Sequence, residues 1–119
     1  MSQIISKIYD HDGSLRRMGN DHELFHEMVG LLRADAPPLL EALSSAHKEG
    51  DAPRMQRAAH TLKGLAANFG AQRAVAAAAE VERLAKIRQS AGMPAAITDL
   101  EESLDELIAA LAPTLEVSR

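Results

Sequence analysis

Apolar residues recur along most of this chain at spacings of three and four, the period of a helix with one buried face. A short opening segment carries Ile4, Ile5, Ile8 and Tyr9. Asp12-Gly13-Ser14 can start a small helix that runs to Met18 and stops at Gly19. Asn20 then reads as an N-cap with Glu23 as its capping-box partner, ahead of a helix burying Leu24, Phe25, Met28, Val29, Leu31 and Leu32. Pro37-Pro38 should kink or restart that helix, because neither residue has a backbone N–H to donate. The stripe resumes at Leu39, Leu40, Leu43 and Ala46, and Gly50-Asp51 is a stop followed by a new N-cap.

Three more helices follow. One spans about Ala52 to Phe69, ended by Gly70; the next spans about Ala71 to Arg88, ended near Ser90-Ala91-Gly92. The last starts near Pro94 and shows a seam of Ile97, Leu100, Leu104, Leu107 and Leu111. The connections are short, so successive helices should run antiparallel. The expectation is an all-α, up-down antiparallel four-helix bundle with short N-terminal helical segments, forming a single domain over residues 1–119. The alanine run Ala76 to Ala79 would let helices approach closely.

Composition supports helices over strands. The chain has 22 Ala and 15 Leu against 13 Val, Ile and Thr together. It has no cysteine, which removes disulfides, thiol nucleophiles and Cys-based metal sites. Only Tyr9, Phe25 and Phe69 are aromatic, and the formal charge is −4, so a nucleic-acid partner is not expected. No apolar run reaches membrane-spanning length, and the first residues lack the basic start and apolar middle of a signal peptide. The expectation is a cytoplasmic monomer without membrane insertion. The Met1 start favours a separate protein, although a fragment of a longer chain could begin the same way.

Within the helix beginning at Ala52, one histidine falls outside the apolar pattern. With His60 at zero on a wheel of about 100° per residue, Met55, Ala58, Leu62, Leu65, Ala66 and Phe69 occupy the opposite arc. Gln56, Arg57, Lys63, Gly64, Ala67 and Asn68 surround His60 on the solvent side. A glycine inside a helix costs roughly 1 kcal/mol against alanine, and Gly64 lies one turn from His60, where any side chain would crowd the imidazole. Its absence leaves room for something to approach the ring; the competing reading is close packing of a neighbouring helix. From Ala52 to Ala79 there is no acid, while Arg54, Arg57, Lys63 and Arg73 give a formal +4 and the rest of the chain −8. That contrast suits a phosphoryl group or an acidic partner surface, or else is only a solvated basic face.

Ala59-His60-Thr61-Leu62-Lys63-Gly64, followed six residues later by Gly70, closely resembles the signature of histidine-containing phosphotransfer domains. Gly19 through Leu24, Asp35-Ala36-Pro37, Gly50-Asp51, Glu80 and Glu82 extend the resemblance from about Asp12 to Leu111. The resemblance implies a four-helix bundle that relays a phosphoryl group in multistep two-component signalling. His60 would accept it from a receiver-domain aspartyl-phosphate and pass it to another receiver, with Lys63 stabilising the group and Gly64 admitting the partner. Gln56, Arg57, Ala67 and Asn68 would share the docking face. Members often carry a small polar residue after the motif glycine; here it is Leu65, which the wheel turns toward the core. A neutral imidazole is a competent nucleophile at about pH 7. No Gly-rich nucleotide loop and no acidic cluster near His60 stand out, so a passive carrier without cofactor is expected rather than a kinase; magnesium would belong to the receiver.

A competing motif is His22-Glu23-Leu24-Phe25-His26, which matches the H-E-x-x-H pattern of zinc peptidases. It falls in the first turn of its helix between charged neighbours, and neither His11, His47 nor His60 stands out as a third ligand. No metal site is therefore expected. A helical binding module that works without phosphorylation is the remaining alternative, against which the intact His60, Lys63 and Gly64 argue.

Overall fold

The computed structural model describes residues 7–117, and five complete helices lie within them, with no strand among the described residues. They are α1 (His11–Arg17), α2 (His22–Glu49), α3 (Ala52–Ala67), α4 (Gln72–Lys86) and α5 (Met93–Val117). Ile4 and Ile5 lie outside the described residues, while Tyr9 is buried and Ile8 partly so. The longest dimension, 44 Å, is close to the ~42 Å length of a 28-residue helix such as α2.

Local chemistry explains the helix ends. Asp21, not Asn20, caps α2: its side chain accepts from the Leu24 N–H at 3.0 Å. Asn20 instead takes a left-handed conformation (φ 59°) in the turn, which an asparagine tolerates better than most residues. Asp51 caps α3 in the same way by accepting from the Arg54 N–H, and Gly50 closes α2 at φ 69°. The restart expected at Pro37-Pro38 does not occur, and α2 runs through both prolines. Both face solvent, as do Arg33 and Ala34, whose carbonyls lose their helical donors and can be hydrated instead.

Buried side chains from every long helix form one core cluster, including Phe25, Val29, Leu32, Leu43, Leu62, Phe69 and Val81. The α5 seam of Ile97, Leu100, Leu104, Leu107 and Leu111 is fully inside it. Each long helix packs on the next, and α5 packs back on α2. The α3–α4 pair is the most closely knit, and α4 brings the small buried side chains of Ala74, Ala77, Ala78 and Ala85 to the core. Leu24 and Leu31 depart from the expected buried stripe; they are 37% and 48% exposed on the outer face of α2.

Gly70 has a positional reason. Its φ is +60°, and an added Cβ would lie 2.9 Å from Cβ of Asp10. The Asp10 N–H donates to the Phe69 carbonyl at 2.8 Å, so the segment before α1 is tied directly onto the α3–α4 corner.

Candidate functional site

The wheel places α3 correctly. Met55, Ala58, Leu62, Ala66 and Phe69 are buried and Leu65 is half-buried, while His60 points outward with 69% of its side chain exposed. Arg57, Gly64 and Ala67 are exposed beside it, and Gln56, Lys63 and Asn68 are half-buried. A Cβ added to Gly64 would meet nothing within 4 Å. The packing explanation for this glycine therefore fails, and the space over the helix is open.

Sequence reasoning missed the carboxylate at the centre of the site. Glu82 on α4 accepts from His60 Nδ1 at 2.9 Å through Oε2 and from Lys63 Nζ at 2.6 Å through Oε1. It is the most buried of the three, with 19% of its side chain exposed against 33% for Lys63. The Lys63 ammonium holds the Glu82 carboxyl below the usual carboxylate range, against the opposing effect of desolvation, and the His60 hydrogen bond adds to the lowering. An ionised carboxylate only accepts, so Nδ1 carries the hydrogen in this contact. In the neutral ring the lone pair is then on Nε2. The only sequence signal for this was the position of Glu82 in the following helix, since the three residues meet only once α3 and α4 pack.

This contact also corrects the charge argument. The basic window is largely neutralised: Lys63 pairs with Glu82 and Arg73 with Asp99 and Glu106 from other helices, and Arg54 pairs with Glu49 at the end of α2 and with Asp51, the cap of its own helix. Arg57 is the one cation of that group without an ion pair among the described residues. It lies with Pro53, Gln56, His60, Thr61 and Glu82 around a shallow depression. Ala67 and Asn68 line a different depression, shared with Arg17, Met18, Leu24 and Met28. The docking residues read from α3 thus divide between two hollows on either side of Gly64.

The H-E-x-x-H segment behaves differently. His22 is exposed in the first turn of α2, and His26 sets its ring edge-on to Phe25, with centroids 6.2 Å apart. The structure brings His11 to the same depression, as the sequence could not show. Even so, no group of three His, Asp or Glu side chains among the described residues is arranged to hold a metal ion.

Fold and site together define an all-helical protein that displays one carboxylate-braced imidazole on an open helix face. Residues 27–112 match the family model described as Hpt domain, and the chain belongs to that family. The matched span contains His60, Lys63, Gly64, Gly70 and Glu82, and it begins after His22 and His26. Hpt domains are phosphocarriers, neither kinases nor hydrolases, that perform histidine phosphotransfer in two-component phosphorelays with receiver domains as partners. No match is found among curated proteins or among solved structures. No helix among the described residues is long and apolar enough to cross a membrane.

Proposed function

We propose that Nε2 of His60 is the phosphoryl acceptor and donor of this Hpt domain. The supporting observation is the Glu82–His60 contact, which occupies Nδ1 and leaves Nε2 free on an exposed face beside an open glycine. The Nε2 lone pair attacks the phosphorus of a receiver's aspartyl-phosphate. A P–N bond forms, the acyl P–O bond breaks, and the receiver's carboxylate leaves. The ring keeps its Nδ1 proton and becomes cationic, and Glu82 balances that charge. Transfer to a second receiver reverses these steps on another aspartate. In this reading Lys63, one turn from His60, turns from Glu82 toward the phosphoryl oxygens.

The receiver is taken to dock over Gly64, with Gln56 and Arg57 on one side and Ala67 and Asn68 on the other. Leu24, Met28 and Leu31 on α2 extend that surface, which accounts for leucines left exposed beside it. The same reading takes the four long helices as an antiparallel up-down bundle, and the chain as a single-domain, cytoplasmic monomer. The test is incubation with a phosphorylated receiver, followed by mapping of the label under conditions that preserve phosphohistidine. Label on His60, lost in His60→Gln with helical circular dichroism intact, is expected. Label on another histidine, or undiminished label in the variant, would reject the assignment.

A further inference from the structure

A second hollow, more enclosed than the depression at His60, opens away from it. It lies where α2 ends, α3 begins and the α4–α5 connection turns, and it offers about 140 Å³ of space. Its floor is apolar and buried: Ala52, Met55, Leu84, Ala85 and Met93. Its rim is polar, with His47, Arg88, Gln89 and Ser90. No Asp or Glu lines it, and Arg88 makes no ion pair among the described residues. Arg88 is also held at φ 57°, a left-handed conformation that an arginine rarely adopts.

Size and charge together restrict the occupant. A cavity of roughly 150 Å³ lined by aliphatic side chains accommodates a benzene-sized molecule. A guanidinium at the mouth with no acid to neutralise it favours a carboxylate. We infer that this end of the molecule is a binding site for a small monocarboxylate with an apolar body about one ring in size, its apolar part against Met55, Leu84 and Met93 and its carboxylate on Arg88.

Occupancy would reach the imidazole through two helices. Met55 precedes His60 by little more than one turn of α3, and Leu84 follows Glu82 by two residues on α4. A ligand between the start of α3 and the end of α4 bears on the spacing that sets the His60–Glu82 contact. The site is separate from the phosphoryl chemistry, so its occupancy can be measured whether or not His60 is the acceptor.

The experiment is an NMR titration of the full chain with benzoate, with benzyl alcohol as the uncharged probe of similar size. Saturable shifts at Met55, Leu84 and Met93, accompanied by shifts of the His60 ring, are expected. Arg88→Asn should weaken benzoate binding at least about tenfold and leave benzyl alcohol unaffected. That variant keeps the fold testable, because asparagine tolerates a positive φ better than arginine does. No saturable shift up to about 10 mM benzoate would overturn the site. Equal affinity for both probes, or for Arg88→Asn and the parent chain, would overturn the carboxylate assignment. Binding without any change at His60 would overturn the link between the two sites.

Discussion

Two helix faces of this protein carry histidines in suggestive motifs, and they differ in what the neighbouring helices bring to them. On α2, His22 and His26 are one turn apart with Glu23 between, the spacing that zinc peptidases use. Yet Phe25 turns into the core, the His26 ring lies against it, and no arrangement fit for a metal results. On α3 a second helix supplies a carboxylate to Nδ1 of His60, and the glycine one turn on leaves open space beside the helix. A motif confined to one helix specifies spacing. Chemistry here depends on what the neighbouring helix contributes.

The largest expected effect separates the two faces outright. His60→Gln should abolish phosphoryl acceptance, whereas the double variant His22→Asn, His26→Asn should accept at the parent rate. Both should fold, since His60 and His22 are exposed and His26 only half-buried. Receiver-to-Hpt transfer assays on the two proteins decide the matter; slowed transfer in the double variant would erase the distinction.

Gly64 sharpens the α3 side next. Gly64→Ala should stabilise α3 by up to about 1 kcal/mol, because nothing lies where the methyl group would go. Gly64→Gln should fold equally well and yet transfer poorly, as the longer side chain covers the approach to Nε2. Thermal unfolding and transfer rates measured on both variants check this. A Gln variant that transfers normally would mean that the open space is not used for docking.

Glu82 and Lys63 come third. Glu82→Gln keeps the shape but removes the charge that balances a phosphorylated ring, and a roughly ten- to hundredfold loss in transfer rate is expected, around the low end for acid–base assistance. Lys63→Ala should slow transfer less and alter phosphohistidine lifetime, with a stability change under about 0.5 kcal/mol. Single-turnover kinetics and the decay of the isolated phosphoprotein report both effects. If Lys63→Ala were the more damaging of the two, the ammonium and not the carboxylate would be the principal support of the imidazole.

How much of this could be read beforehand follows from where the determinants lie. The α3 face and the α5 seam were legible, because a 3.6-residue period is written in one stretch of chain, and the core holds every residue of both except the half-buried Leu65. Gly50 and Asp51 marked their boundary for the same local reason. Glu82 was not legible as a partner of His60, because the two lie 22 residues apart and meet only through helix packing. The basic window misled largely for the mirror-image reason: the acids that pair with Lys63 and Arg73, namely Glu82, Asp99 and Glu106, arrive from other helices, and only those of Arg54 lie just ahead of it in the chain. Leu24 and Leu31 obeyed the periodicity but lie on the outer edge of the stripe. The prolines in α2 failed as breakers because they and the residues whose carbonyls they deprive, Arg33 and Ala34, lie on the solvent face of the helix.

The smallest effect concerns stability and bears on whether the α3–α4 contact is an ion pair at all. The folded-state pKa of Glu82 is lowered, chiefly by the hydrogen bond from Lys63 and further by that from His60. A carboxyl with a depressed folded pKa contributes stability that is fully present above its unfolded value, near 4.5, and is lost as the pH falls through the folded value. The parent chain should therefore melt slightly higher than Glu82→Gln near neutrality, and the two melting temperatures should converge as the solution is acidified below the unfolded value. The difference should be small, since the His60 end of the contact is exposed and the Lys63 end partly so, and it should shrink with added salt. The His22, His26 double variant, which removes no carboxylate contact, should track the parent chain across that same acidic range. A gap between the parent and Glu82→Gln that persisted into acid would show that Glu82 acts there through packing and neutral hydrogen bonding, and the charge-balancing role assigned to it at His60 would fall with that result.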